Sequence, residues 1–154
     1  MSLSRSRSIN PWIAPLLWIV VIFLFSTDSF SASGTSRFIV PALKFLLPSL
    51  SPEQLVLGHA VCRKAGHVLE YFVLGILLCR ALSRGSADWI RTGIFAMTLV
   101  LAVALSDEFH QSFVPSRTSA LTDVGYDFAG GMAALLLMSR LRNETRPLPS
   151  HSVL

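Results

Sequence analysis

Four stretches of this chain are so poor in polar side chains that water cannot be their common solvent. They cover about 11–26, 65–82, 89–105 and 124–139. Each approaches the roughly 17 to 25 residues that a helix needs to cross a bilayer core. Charged residues make up only 14% of the 154 residues and hydrophobic ones 52%, against roughly 25% charged in a soluble domain. Inside a bilayer every backbone N–H and C=O must be satisfied within the segment, which leaves helices as the natural spanning element. The expected fold is all-α: a single membrane domain over residues 1–154, built as a bundle of four transmembrane helices. The net charge of +4 does not point to nucleic acid. The basic residues sit scattered at the ends of apolar segments and form no patch with interleaved aromatics.

The connection between the first two spans, 27–64, is long. It begins with Ser/Gly-rich turn material and continues as RFIVPALKFLLPSL, residues 37–50. Two prolines and a short length argue against a span and for an interfacial or re-entrant segment. Ser51, Pro52 and Gln54 then form a capping-box signature, with Pro at the first helical position. The second spanning helix is therefore expected to start near Pro52 and run to about Arg84. The N-terminus resembles a secretory signal, with Arg5 and Arg7 before an apolar run and SAS at 31–33. Pro11, Pro15 and the Trp pair suit a retained, interface-anchored span better. Cys62 and Cys79 lie on one expected helix, roughly 25 Å apart at 1.5 Å per residue, too far for a disulfide. They read as small buried residues.

Lys and Arg set the expected orientation. Arg5 and Arg7 precede the first span, Arg80, Arg84 and Arg91 fill the connection between the second and third, and Arg140, Arg142 and Arg146 follow the fourth. The positive-inside rule then puts both termini in the cytoplasm, with tails at 1–10 and 143–154. The exception is the 27–64 connection, which carries Arg37, Lys44, Arg63 and Lys64 on the outer side.

This topology gathers ionisable residues of mixed sign on one leaflet. Ser26 and Asp28 end the first span there. Arg63, Lys64, His67, Glu70 and Tyr71 open the second, and SDEFHQ, residues 106–111, closes the third. Arg117, Asp123 and Asp127 lead into the fourth. At about 100° per residue, Arg63, Lys64, His67, Glu70 and Tyr71 share an arc of roughly 120° and point into one volume. Asp107 and Gln111 are one helical turn apart, as are Asp123 and Asp127, and Gly130, Gly131 and Ala134 permit close helix packing.

A charge at membrane depth costs about 2.5 to 3.5 kcal/mol, so such residues serve either chemistry or interhelical pairing. The acid–base candidates are His67, Glu70, Asp107, Glu108 and His110. The ligand-binding candidates are Arg63, Lys64, Tyr71, Gln111, Arg117, Asp123 and Asp127, the cations being suited to a phosphate or carboxylate. HxxE at 67–70 and ExH at 108–110, with Asp123 and Asp127 nearby, offer ligands that zinc accepts. With no HExxH and no cysteine pair, the reading assigns no metal and no cofactor. The competing reading makes the same residues an interhelical ion-pair network, in a binding or assembly module without turnover. A transport path is the weakest reading, because Thr92 and Thr98 are the main polar residues of the inner halves.

Three segments in order resemble the VanZ-like membrane proteins. R63-K-A-G-H-V-L-E-Y-F-V-L-G75 resembles their RK-x-x-H-x-x-EY-x-x-LG segment. S106-D-E-F-H-Q-S-F-V-P-S-R117 resembles SDE-x-HQ-x-F-x-PGR. D123-V-G-Y-D-F-A-G130 resembles the closing DV-x-x-D/N-x-x-G, and FSTDS at 25–29 the first-span FS-S pattern. The similarity covers about 18–138. Ser116 stands where that family has Gly, and Thr27-Asp28 where it often has Ser-Gln. If the Gly takes a positive φ, Ser116 bears a cost of about 1 kcal/mol. The resemblance implies a multi-pass protein of the bacterial cell membrane, acting at the envelope, since its namesake is linked to low-level teicoplanin resistance. It brings no established reaction and does not by itself license an enzyme. The expected partners are membrane lipids and an envelope lipid or glycopeptide-related ligand.

Overall fold

The computed structural model describes residues 10–84, 88–117 and 119–144. Arg5, Arg7 and Arg146 lie outside the described residues, as do most of the two tails. The described fold is all-α. Helix α1 covers Ile13–Phe25 and is followed by a short 3-10 turn, Asp28–Phe30. The others are α2 (Ala32–Leu46), α3 (Pro52–Ser83), α4 (Trp89–Gln111) and α5 (Leu121–Glu144).

The helix boundaries follow local chemistry. Ser51 and Gln54 exchange side-chain and backbone hydrogen bonds at the start of α3, and Pro52 occupies the first turn, where its missing N–H has no intrahelical role. Asp88 accepts from the amides of Ile90 and Arg91 at 3.0 and 3.2 Å to start α4. Ser31 accepts from Gly34 N to start α2. The SAS segment that imitates a cleavage site is thus a helix cap. The chain bends by 73° between α1 and the segment Asp28–Leu46, and α2 packs on the first half of α3, with Thr35 Oγ1 3.1 Å from a His59 ring nitrogen.

By length and composition, α3 and α4 can each cross a membrane, and α1 joined to Asp28–Leu46 across the bend would make a third crossing. The sequence suggested four. Helix α1 has only 13 residues, and α5 begins with two aspartates, Asp123 and Asp127, that turn inward. The packing of α1, α3, α4 and α5 stays compatible with a four-span bundle.

The core lies where α3, α4 and α5 meet under α1, around Ile22, Tyr71, Leu74, Leu78, Val100 and Ala104. The contact between α3 and α5 is the most extensive in the molecule. Small residues allow it: a Cβ added at Gly130 would run into the Val68 carbonyl oxygen, and one at Gly75 would lie 2.7 Å from Ala134 Cβ. Two sequence expectations need correction. Cys79 is buried but Cys62 is exposed, because Cys62 precedes the part of α3 that enters the core, which begins at Tyr71. No non-glycine residue has a positive φ among the described residues, so Ser116 bears no left-handed strain. Its hydroxyl instead donates to the Asp28 carboxylate.

Candidate functional site

Polar residues from the ends of α1 and α4, the middle of α3 and the first turns of α5 converge. Helix α1 stops at Phe25, so Ser26 drops directly over the last turns of α4 and donates to Asp107 Oδ1. Gln111, one turn on, donates to Asp107 Oδ2 at 2.9 Å. From α3, His67 Nδ1 lies 3.0 Å from Asp127 Oδ1 on α5. All five side chains are buried, Asp107 at 1% exposure and Asp127 at 0%. The ligand atoms of His67, Asp107 and Asp127 lie within 4.8 Å of one another. Three helices thus place one imidazole and two carboxylates at a single point.

Around this centre the remaining candidates divide. Lys64 pairs with Asp123 and lies 5.2 Å over the Tyr126 ring. Arg117 reaches back from the loop between α4 and α5 and donates to the Phe25 carbonyl, while its buried Nε has no partner. Burial, and then the neighbouring Arg63, hold the Arg117 guanidinium below its usual range. Glu70 stays half-buried beside the cavity, and its backbone carbonyl accepts from Trp18 Nε1 at 2.9 Å. Tyr71 is fully buried with its hydroxyl unpartnered.

Two candidates face elsewhere. Glu108 Oε2 accepts from Ala120 N at 2.7 Å and from Ser119 Oγ at 2.9 Å. It fastens the loop that leads into α5. His110 packs edge-on against Phe23, with ring centroids 5.7 Å apart.

A cavity of about 280 Å³ opens beside the centre. It is lined by the polar residues Arg63, His67, Glu70, Gln111 and Arg117 and by the apolar residues Phe25, Phe30 and Ile39. A second cavity of about 220 Å³, lined by Arg63, Lys64, His67 and Asp123, adjoins it through the shared Arg63 and His67. The sequence reading missed the contribution of α2 and of the 3-10 turn, namely Phe30, Thr35 and Ile39. A local signal was Ser31, which caps α2 within a stretch expected to be turn material ahead of an interfacial or re-entrant segment.

The fold and its buried polar centre define a small helical membrane protein with a built pocket at one end of the bundle. A model of the VanZ/LLP1 family matches residues 12–142, and the chain belongs to that family. Searches of curated proteins and of solved structures gave no match.

Proposed function

We propose that this family member binds, and in doing so prepares for processing, the anionic head group of an envelope lipid at an outward-facing site. A glycopeptide-related ligand with the same charge and an apolar tail would be held in the same way. The observation that carries this reading is the mixed lining of the larger of these two cavities. Arg63 and Arg117 share that lining with Phe25, Phe30 and Ile39, so cations and apolar side chains border one space. Its volume is slightly under the roughly 300 Å³ of small-molecule sites, which suits a head group whose tail remains in the bilayer. Arg117 has an unspent N–H to offer, and guanidinium groups favour phosphate or carboxylate. Lys64 adds charge at the rim. His67 and Glu70 line the cavity and Asp107 is buried next to His67, and a proton would be exchanged with the bound group there. Glu108 acts in this reading by holding the loop that presents Arg117.

Depth supports the outward placement. Along α3, His67 stands about 25 Å from Arg84, and along α4, Asp107 stands about 27 Å from Trp89. A hydrocarbon core of about 30 Å, with the arginine end at the cytoplasmic face, puts the cavity just inside the opposite face.

The test is native mass spectrometry of the purified chain and of Arg63→Ala and Arg117→Ala. Loss of one charge-assisted hydrogen bond should lower retained anionic lipid by about tenfold. Equal retention of the same lipids in both variants overturns the reading. A second reading treats the polar residues as interhelical staples, and the Lys64–Asp123 pair between α3 and α5 favours it. In that case Glu108→Gln and His110→Asn lower thermal stability in detergent before any binding is lost.

A further inference from the structure

We propose that His67, Asp107 and Asp127 bind one divalent transition-metal cation, with zinc as the best-fitting ion. This inference stands apart from the lipid reading and would survive its failure.

The first ground is geometry. One nitrogen and two oxygen ligands from α3, α4 and α5 fall within 4.8 Å of one another, and all three residues are buried. Tetrahedral zinc with bonds of about 2.0 to 2.2 Å holds its ligand atoms about 3.3 to 3.6 Å apart. The 3.0 Å between His67 Nδ1 and Asp127 Oδ1 is already close to one such edge. Closing the third ligand asks for a shift of about an ångström.

The second ground is an unspent acceptor. Asp127 Oδ2 is buried and has no hydrogen-bond partner, on a residue with 0% exposure. A buried carboxylate oxygen without a partner is costly, and such groups are rare unless something absent from the protein satisfies them. The Tyr71 hydroxyl, one turn beyond His67 on α3, is also buried and unpartnered.

The third ground is charge. Two carboxylates share this centre, and among the described residues no Lys or Arg is hydrogen-bonded to either, their partners being Ser26, Gln111 and His67. A divalent ion balances the pair. An imidazole with two carboxylates suits zinc or manganese; thiolate-seeking ions lack their ligand, and calcium prefers six or more oxygens. Three protein ligands leave a fourth position open. His67 lines both cavities, which gives an entry path. The sequence pairs, His67 with Glu70 and Glu108 with His110, are not the set that converges; the aspartates one helix further on are.

The experiment uses the full chain in detergent, stripped with chelator and dialysed separately against Zn²⁺ and Mn²⁺. Metal content and thermal midpoint are then measured. About one equivalent per chain with a raised midpoint is expected for the wild type and for Lys64→Ala, falling below about a tenth in Asp107→Asn and Asp127→Asn. Co²⁺ loading of the wild type gives a readout independent of the variants: intense tetrahedral absorption bands support the site. A folded wild type that retains less than about a tenth of an equivalent overturns it. So does retention by Asp127→Asn equal to wild type, or a weak aqua-type cobalt spectrum.

Discussion

The two ends of the bundle are built from the same helices and treat charge in opposite ways. At one end Arg80, Arg84, Arg91 and Arg140 are exposed, and the Arg91–Asp88 pair leaves side chains 78% and 47% open. Arg142 lies over the Trp89 ring at 5.4 Å. At the other end carboxylates and an imidazole are buried and bonded across helices, among them Asp107, Asp127 and His67, with half-buried Lys64 and Arg117 nearby. Exposed, single-sign arginines cost little and orient a chain. Buried, mixed-sign groups are costly unless each is bonded. Burial and pairing, rather than the number of charges, separate a topology signal from a built site.

Substitutions at the two ends should differ accordingly. The largest effect belongs to Gly130→Ala. The new methyl meets the Val68 carbonyl and pushes α5 off α3 near the His67–Asp127 contact. It should cost about 3 kcal/mol, read from unfolding in detergent. Gly125 on the same helix has no atom within 4 Å of an added Cβ. Gly125→Ala should therefore stabilise, by up to about 1 kcal/mol through helix propensity. A Gly130→Ala protein as stable as wild type would show that the helices are not pressed together as described. Next is Asp107→Ala, which removes the buried acceptor shared by Ser26 and Gln111 and leaves them with weaker partners. The expected loss is about 2 kcal/mol.

Lys64→Ala should cost less than about 1 kcal/mol, because the lysine side chain of the Lys64–Asp123 pair is 37% exposed and already screened. At the arginine end, Arg84→Ala should stay within about 0.5 kcal/mol. If Arg84→Ala destabilised as much as Asp107→Ala in the same unfolding assay, the contrast between the ends would collapse.

Much of the architecture is legible in the sequence where local rules act. Ser51-Pro-Glu-Gln marks the start of α3 because capping depends only on neighbours three residues apart. The shared face of His67 and Tyr71 follows from helical periodicity, and the convergence of α3, α4 and α5 from the alternation of spans. What was not legible depends on contacts between distant residues. Nothing local says that Glu108 will fasten Ser119 and Ala120 across a loop, or that His110 will turn to Phe23. Asp107 and Glu108 are adjacent, yet one enters the centre and the other closes a loop. Residues 37–50 were expected to be interfacial or re-entrant, and α2 covers most of them; its share of the cavity wall depends on a bend that sequence patterning does not report.

The position of Ser26 has a consequence for how the chain is made. Its partner Asp107 lies 81 residues later. At about 5 to 20 residues per second, translation takes roughly 4 to 16 seconds to cover that distance. During that interval the first helix is already inserted while the acid it will cover has not been synthesised. The centre is thus assembled only after α4 and α5 have followed α1 out of the ribosome. A ribosome stalled between them would leave a half-built site open to whatever the membrane offers.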